Sequence, residues 1–369
     1  MKHILLKNFL LLLIASIPSI TYSQDPNFHI YLLFGQSNME GAGAIESQDR
    51  TNVDERFRVI GAVTCSGNNT SFTLGKWRTA TPPIFRCWTG LGVGDYFGRT
   101  MVENLPQHIR VGIVPVAIGG SDIRLFDKEN YETYVTNAPD WQKNIISEYG
   151  GNPYARLVEV AKLAQKDGVI KGILLHQGET NTNNPSWKNY VQQVVANLKS
   201  DLGLGDIPFL AGELLASQGA CCGSHNVEVN KLPDVIPNTH VISSSGLVGS
   251  DPAHFTSASY RTFGQRYAKK MLELVEVDTS PVTSAEDHKT ESQVNVYPVP
   301  AVNRAFTIDN IGDISQIEVF TSLGAKIATF DNPNRSASLK IQIDSCQGLL
   351  LIKLYDIQKR ISYKKILVQ

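Results

Sequence analysis

The feature that most constrains the fold is a repeated alternation of short apolar segments with amphipathic ones between Phe28 and about Val275. The apolar segments are continuous rather than alternating in polarity, which is typical of parallel strands covered by helices on both faces. The predicted strands are residues 29–34, 110–117, 170–176, 208–213 and 239–243. The predicted helices are residues 93–104, 153–166, 185–201, 226–233 and 257–275. This order predicts a doubly wound α/β domain, in which ligands bind beyond the carboxyl ends of the strands.

The first 23 residues have the pattern of a secretory signal peptide. Lys2 and Lys7 precede the apolar run 8–20, and the small residues Thr21 and Ser23 stand just before Gln24. A membrane anchor is the alternative, but the thirteen residues of the run fall short of the ~20 needed to span a bilayer. We therefore expect an exported mature protein without a membrane span, in a compartment that permits disulfides.

The composition changes sharply after the α/β region. Residues 276–293 are rich in Ser, Thr, Pro and charged groups, which predicts a flexible linker. Short apolar runs separated by Gly, Asn or Asp then follow to the end, which predicts a small antiparallel β-sandwich over residues 294–369. The predicted domains are thus a signal peptide (1–23), an α/β domain (24–275), the linker and the β-sandwich.

The overall charge and the cysteine count exclude some classes of protein. Lys and Arg number 34 against 35 Asp and Glu, so a nucleic-acid binder built on net basic charge is excluded. Five cysteines are too few for a disulfide scaffold, and the odd number leaves at least one unpaired in a monomer.

A serine follows the first predicted strand in the segment GQSNMEG, which begins at Gly35. Flanking glycines let the backbone turn sharply, so Ser37 is well placed to be an exposed nucleophile. The α/β-hydrolase elbow G-x-S-x-G is excluded because Met39 stands where its second glycine belongs. A simple structural turn remains the alternative.

The next two strand ends carry further polar and glycine residues. Gly119 and Gly120 follow the second strand, where paired N–H groups suit an oxyanion hole, although a tight βα turn is the alternative. Gln177 and Glu179 lie in the segment HQGETN at the end of the third strand. There Gln177 is a candidate oxyanion donor, and Glu179 is a candidate to orient a base or to bind a sugar hydroxyl.

The segment DPAHF, near the end of the α/β region, places Asp251 three residues before His254. One loop can then carry both a base and the carboxylate that orients it, which completes a Ser, His and Asp set for acyl transfer. A metal site is the alternative, but the sequence has no H-E-x-x-H or C-x-x-C to supply further ligands.

Taken in order, GQSNMEG, Gly-Gly-Ser, HQGETN and DPAHF resemble the conserved blocks of the SGNH hydrolases over about residues 28–274. They are most similar to the branch of sialate O-acetylesterase-like proteins and acetylxylan esterases of carbohydrate esterase family six. The resemblance implies a flavodoxin-like three-layer α/β/α fold and removal of O-acetyl groups from carbohydrates, without a metal or other cofactor.

The resemblance also implies a role for each matching residue. Ser37 is then the nucleophile, His254 the general base and Asp251 the orienting acid. The N–H groups of Ser37 and Gly120, together with Gln177, are the implied oxyanion hole. Glu179 is implied to lie close to the histidine, where it shares or replaces the role of Asp251, a choice that the sequence leaves open.

Several further residues are candidates for contact with the substrate. Gln36 and Asn38 flank Ser37, and His225 and Asn226 follow Cys221 and Cys222 in a stretch that resembles one in related esterases. These two cysteines either bond to each other or pair with Cys65 and Cys87. Of the four tryptophans, Trp77, Trp88, Trp141 and Trp187, the last lies nearest HQGETN and is the preferred one for sugar stacking, with burial in the core as the alternative.

The C-terminal region resembles the sorting domain of type IX secretion. The supporting segments are VNVYPVPA from Val294, the run 348–354 and the ending KKILVQ. The resemblance implies the type IX machinery as a partner, a Gram-negative bacterium, and a secreted or cell-surface location. An accessory β-sandwich that binds sugar is the alternative.

The sequence thus predicts a secreted carbohydrate O-acetylesterase that acts on an acetylated polysaccharide or glycan. A non-catalytic glycan-binding protein and an SGNH lipase or thioesterase are the alternatives. Which acetylated glycan is the substrate stays open at this level.

Overall fold

The computed structural model describes residues 24–67, 70–275, 294–321, 325–343, 348–357 and 361–368. The chain divides into two compact units, one within Met1–Thr279 and the other within Ser280–Gln369. The predicted leader (1–23) and the predicted linker (276–293) lie outside the described residues. Within the described part, no helix is both long and apolar enough to cross a membrane.

The first unit is built on a seven-stranded, mainly parallel sheet with the order β5-β2-β6-β1-β7-β8-β9. Only β5 pairs in the antiparallel sense, with β2 at one edge, and β3 and β4 form a separate hairpin. The order β6-β1-β7-β8-β9 corresponds to the 2-1-3-4-5 order of flavodoxin-like sheets. The strands are β1 (Asp25–Gly35), β2 (Phe57–Ile60), β3 (Cys65–Gly67), β4 (Thr70–Phe72), β5 (Trp77–Thr79), β6 (Arg110–Ala117), β7 (Gly168–His176), β8 (Phe209–Gly212) and β9 (Thr239–Ile242).

Helices cover both faces of this sheet. On one face Ile30 and Phe34 of β1 belong to a buried cluster that includes Leu157, and on the other Tyr31 belongs to a cluster that includes Phe97. The helices are α1 (Ser37–Glu40), α2 (Ser47–Arg50), α3 (Val93–Asn104), α4 (Tyr131–Asn137), α5 (Asp140–Glu148), α6 (Pro153–Ala164), α7 (Trp187–Asp201), α8 (Asn226–Val229), α9 (Leu232–Val235) and α10 (Ser257–Leu274), with 3₁₀ turns at Ile123–Phe126 and Gly223–His225. The predicted three-layer α/β/α fold is confirmed.

One predicted helix is divided in the structure. Residues 226–233 were expected to form a single helix, but α8 ends at Val229 and α9 begins at Leu232. Pro233 lies in the first turn of α9, where its missing N–H leaves no helical hydrogen bond unmade. In the interior of a longer helix the same proline would break the hydrogen-bond ladder.

In its described residues the second unit is all β and has its own core. The seven strands found there have the order β13-β12-β15-β16-β10-β11-β14, and they pair antiparallel except for β10 and β16, which meet in parallel at Ala301 and Val368. Leu350, Ile352 and Leu354 of β15 are buried at alternate positions, as in a strand with one buried face. The strands are β10 (Asn295–Val302), β11 (Ala305–Asp309), β12 (Ile314–Thr321), β13 (Lys326–Asp331), β14 (Ser338–Gln342), β15 (Gly348–Asp356) and β16 (Ile361–Val368). The predicted β-rich C-terminal region is confirmed.

Candidate active site

The carboxyl ends of β1, β6 and β7 meet at one edge of the first unit. Gly35, the last residue of β1, lies level with Ala117 of β6 and His176 of β7. A side chain at position 35 would place its Cβ 2.1 Å from the carbonyl oxygen of His176, so glycine is required at this close approach. The polar segments that follow the three strands are therefore adjacent in space.

The loop between β9 and α10 brings His254 to Ser37. The Ser37 hydroxyl lies 2.9 Å from Nε2 of His254, and Nδ1 of His254 lies 2.8 Å from the Asp251 carboxylate. The other Asp251 oxygen accepts the N–H groups of Ala253 and His254 at 2.7 and 2.8 Å, which holds the loop in shape. Partial burial raises the pKa of Asp251, but these hydrogen bonds and His254 outweigh it, and the pKa lies below its usual value.

The turn after β6 lies beside Ser37 and lines the same cleft. Gly120 has a φ of +65°, and no acceptor for its N–H, or for that of Ser37, is found among the described residues. The Gly119 N–H instead donates to Glu40 at 2.8 Å. A Cβ on Gly119 would lie 3.8 Å from the Cβ of Ser37, so the turn passes directly beside the serine.

Gln177 does not reach this site. It is 1% exposed, and its side-chain N–H₂ group donates to Gln36, to the Ser121 carbonyl and to Asn181, while its oxygen accepts the indole N–H of Trp187. Both amide hydrogens are therefore committed inside the protein. The prediction that Gln177 donates to an oxyanion conflicts with this packing.

Glu179 lines the cleft but contacts Asn38 and His176 rather than His254. Asn38 donates to the Glu179 carboxylate and, at 2.9 Å, to the Ala253 carbonyl. The Glu179 carboxylate lies 3.5 Å from Nδ1 of His176, whose pKa is lowered by burial although Glu179 opposes the shift. Since Asp251 already pairs with Nδ1 of His254, the geometry favours Asp251 over Glu179 as the partner of the histidine.

The two neighbours of Ser37 are buried and serve the loop itself. Asn38 is fully buried and also accepts the Tyr260 hydroxyl, so it joins the serine turn to α10 and to the histidine loop. Gln36 is 3% exposed, and its side-chain oxygen accepts the N–H groups of Gly178 and Thr180 at 3.3 and 3.4 Å. Gln36 still contributes to the cleft wall, whereas Asn38 is enclosed by protein.

Three other predicted contact residues lie away from the cleft. Trp187 is fully buried and packs against His225 with ring centroids 4.8 Å apart, so no sugar ring reaches it. His225 is also fully buried, accepts the Asn183 N–H at 3.2 Å, and has its pKa lowered by burial to about 4. Asn226 bonds the backbone of Leu214 through both ends of its amide. These three residues therefore have structural roles: the rings of Trp187 and His225 pack together in the interior, and the amide of Asn226 holds the backbone of Leu214.

Sequence reasoning missed a buried ion pair beside the serine. Glu40 pairs with Arg86 at 2.6 Å, both side chains are 8% exposed, and the second oxygen of Glu40 holds the Gly119 N–H. Arg86 also reaches Glu148 at 3.2 Å. The signal in the sequence is a lone acidic residue three positions after Ser37 in a segment that follows a buried strand.

Ser37, His254 and the Gly119–Gly120 turn belong to the wall of a cleft of about 470 Å³. The cleft is lined by Gln36, Ser37, Gly119, Gly120, Trp141, Glu179, Thr180, Cys221, Cys222, Ala253 and His254.

Two disulfides form in this unit, Cys65–Cys87 and Cys221–Cys222, so the adjacent-cysteine alternative is the one observed. Cys346 lies outside the described residues.

Comparison with known proteins agrees with this fold. The chain is 26% identical over 272 residues to the probable carbohydrate esterase At4g34215 of Arabidopsis thaliana, a match that covers 69% of this chain and 94% of the plant protein. The crystal structure of the Arabidopsis protein AT4G34215 superposes with a TM-score of 0.52 at 21% identity, covering 68% of this chain and 99% of that one. NanS superposes with a TM-score of 0.50 at 16% identity, covering 68% of this chain and 98% of NanS.

A family model decides the assignment. The model of the carbohydrate esterase, sialic acid-specific acetylesterase family matches residues 27–273, which span β1 to α10 and hold every residue of the cleft. The chain therefore belongs to the sialic acid-specific acetylesterase family of carbohydrate esterases.

Proposed function

We propose that this carbohydrate esterase removes O-acetyl groups from glycans by a serine-dependent mechanism. The observation that carries the proposal is the hydrogen-bonded chain from Ser37 through His254 to Asp251, with distances of 2.9 and 2.8 Å, in an open cleft at the carboxyl edge of the sheet. A serine within reach of an oriented imidazole is the arrangement that activates a hydroxyl as a nucleophile.

In the acylation step, Nε2 of His254 takes the proton of Ser37 as the serine oxygen attacks the acetyl carbonyl carbon. The oxyanion that forms is stabilised by the N–H groups of Ser37 and Gly120. When the intermediate collapses, the bond between the carbonyl carbon and the sugar oxygen breaks. His254 then donates its proton to that oxygen, which leaves a free sugar hydroxyl and acetyl-Ser37.

In the deacylation step, a water molecule replaces the sugar. His254 takes a proton from the water as its oxygen attacks the acetyl carbon of acetyl-Ser37. The bond to the serine oxygen breaks, the proton returns to Ser37, and acetate leaves. Asp251 stays ionised throughout and stabilises the imidazolium, as its lowered pKa favours.

In this proposal Glu179 acts through Asn38 and not on His254. Asn38 contacts Glu179 on the strand side and the Ala253 carbonyl on the histidine side. Glu179 and Asn38 are therefore positioning residues that hold the loop of Ser37 and the loop of His254 in place relative to each other.

The decisive experiment substitutes the serine. We expect Ser37→Ala to lower kcat/KM for both p-nitrophenyl acetate and an acetylated xylooligosaccharide by about 10⁴-fold or more. Ser47→Ala, at an exposed serine that begins α2, is the matched control and should keep wild-type rates. Retained turnover in Ser37→Ala contradicts the proposal. A wild-type protein that binds glycans but hydrolyses no ester supports the glycan-binding alternative, and a preference for long-chain esters supports the lipase alternative.

We also propose export with removal of the leader and of the C-terminal region, on the sequence patterns at the two ends of the chain. Mass spectrometry of the protein from the culture medium should give a chain that begins at Gln24 and lacks the region from about Val294 onward. A cell-associated chain that begins at Met1 contradicts this.

A further inference from the structure

We propose that Trp141 is the platform on which the pyranose ring of the substrate stacks, an inference that rests on the proposed function and specifies how the sugar is held. A pyranose presents apolar C–H groups on its faces and hydroxyls at its rim. An indole in an open cleft matches the faces of such a ring, whereas polar groups around it match the rim.

Of the four tryptophans, Trp141 is the one that combines two properties. Its side chain lines the catalytic cleft, and the residue is 54% exposed, which is unusual for a large aromatic side chain. Trp187 is fully buried, and Trp77 is half-buried and donates its indole N–H to Asp167. Trp88 is 61% exposed but lies against Gly67 of the β3–β4 hairpin and is absent from the cleft wall.

The indole of Trp141 lies against the turn that supplies the proposed oxyanion donor. A Cβ on Gly120 would lie 3.1 Å from Cη2 of Trp141, so glycine at this position lets the ring approach the turn closely. The indole ring is thus placed beside the turn whose N–H is proposed to polarise the acetyl carbonyl, and the sugar that carries the ester must lie near this turn.

The backbone that carries Trp141 is anchored by its neighbour in α5. Gln142 is 1% exposed and donates to the Gly119 carbonyl at 3.0 Å, while its side-chain oxygen accepts the Tyr134 hydroxyl at 2.8 Å. The helix that carries Trp141 is therefore tied to the same turn as Gly120. A ring on an anchored helix needs no backbone movement to reach the sugar, so less freedom is lost on binding.

Polar groups lie at the rim of the same cleft. Thr180 is exposed and donates its hydroxyl to the Gly120 carbonyl at 3.1 Å, and its oxygen retains acceptor capacity for a sugar hydroxyl. The wall near His254 includes the Cys221–Cys222 disulfide, because the Cys221 N–H donates to the Pro252 carbonyl at 2.8 Å. The cleft therefore offers an aromatic surface near Gly120 and a compact apolar surface near the histidine loop.

The test compares an ester with a sugar ring and one without. The probes are an acetylated methyl xyloside and p-nitrophenyl acetate, and the readout is the ratio of their kcat/KM values. We expect Trp141→Ala to lower the glycoside-to-aryl ratio at least about tenfold, mainly through a higher KM for the glycoside. Trp141→Phe should restore most of the ratio, and Trp88→Ala, a second exposed tryptophan outside the cleft, should leave it at the wild-type value.

The outcomes separate the inference from the function on which it rests. A wild-type ratio in Trp141→Ala, with the glycoside still hydrolysed, overturns the stacking proposal alone. A wild-type protein that hydrolyses no acetylated glycoside overturns the proposed substrate class, and the stacking proposal with it. A loss in Trp141→Ala that is equal for both probes shows that Trp141 supports the oxyanion turn rather than the sugar, and this too overturns the proposal.

Discussion

The two units of the molecule bury very different kinds of side chain. The β unit has a core of aliphatic residues and Phe306, and the buried polar residue described in it is Asn332. The α/β unit has two larger apolar clusters and also buries several ionisable side chains, among them His29, Glu40, Asp95, His176 and His225. The β unit is thus held mainly by apolar burial, whereas the α/β unit also has to accommodate buried polar groups, of which Glu40 is paired with Arg86.

The difference shows in which unit this protein buries ionisable side chains. A buried ionisable group costs free energy unless it is paired and hydrogen bonded. In the α/β unit two acidic groups lie beside Ser37, where strands end: Glu40 accepts the Gly119 N–H, and Glu179 accepts from Asn38, which also donates to the Ala253 carbonyl. These contacts join the serine, glycine and histidine loops to one another. If these polar groups support catalysis and stability as their contacts indicate, substituting them should impair the α/β unit more than equivalent changes impair the β unit.

The largest effect is expected for Asp251, which pairs with His254, and Glu179, which does not, is the comparison. Asp251→Asn should lower kcat by about 10²–10⁴-fold, because the amide favours the wrong tautomer of His254. Glu179→Gln should cost only about tenfold, because it acts through the position of Asn38. Steady-state kinetics across pH on both variants provide the measurement, and a larger loss in Glu179→Gln than in Asp251→Asn would contradict the assignment of the orienting acid.

A smaller effect is expected for the buried ion pair. Glu40→Gln keeps an acceptor for the Gly119 N–H but leaves Arg86 without its closest charge partner, so the α/β unit should lose about 3 kcal/mol of unfolding free energy. The control in the β unit is Glu318→Gln, whose partner Lys326 is exposed, and its effect should be much smaller. Denaturant unfolding of both variants compares the two units directly, and equal losses would show that burial of the pair is irrelevant.

The smallest effect concerns acid sensitivity. Burial lowers the pKa of His225 to about 4, so its contribution to stability is fully present above about pH 6.5 and is lost as the pH falls toward 4. The free-energy advantage of the wild type over His225→Asn should therefore shrink by about 2 kcal/mol between pH 7 and pH 4. Residues 294–369 contain no histidine, so the β unit lacks this source of acid sensitivity. A difference that does not vary with pH would contradict the lowered pKa.

Local pattern accounts for much of the fold. The strand 110–117 and the helix 93–104 begin and end as predicted, because a continuous apolar run and a helical spacing each report a buried face directly. Helices α4 and α5 were not predicted, since α4 has no buried residue and α5 has only Gln142 and Ile146. An element that buries so little leaves almost no periodic signal.

The site was predicted less evenly. The loop DPAHF carries its own geometry, because an acid three residues before the histidine can bond both the ring and the backbone within one turn. Gln177 and Trp187 have residue types suited to an oxyanion and to a sugar, yet both are buried and bonded to each other. Whether a loop residue is exposed depends on which side of the loop faces the core, and the residue type alone does not reveal this.

The sequence by itself determined the alternation of strands and helices, the β-rich tail and the order of the polar segments at the strand ends, because each depends on residues close together in the chain. Only the tertiary structure decided which of those polar side chains meet. It paired Glu40 with Arg86, joined Asn38 to Glu179, and brought Trp141 to the Gly120 turn. Such contacts join residues that are distant in the chain, and the packing of helices on the sheet fixes which of them share a wall of the cleft.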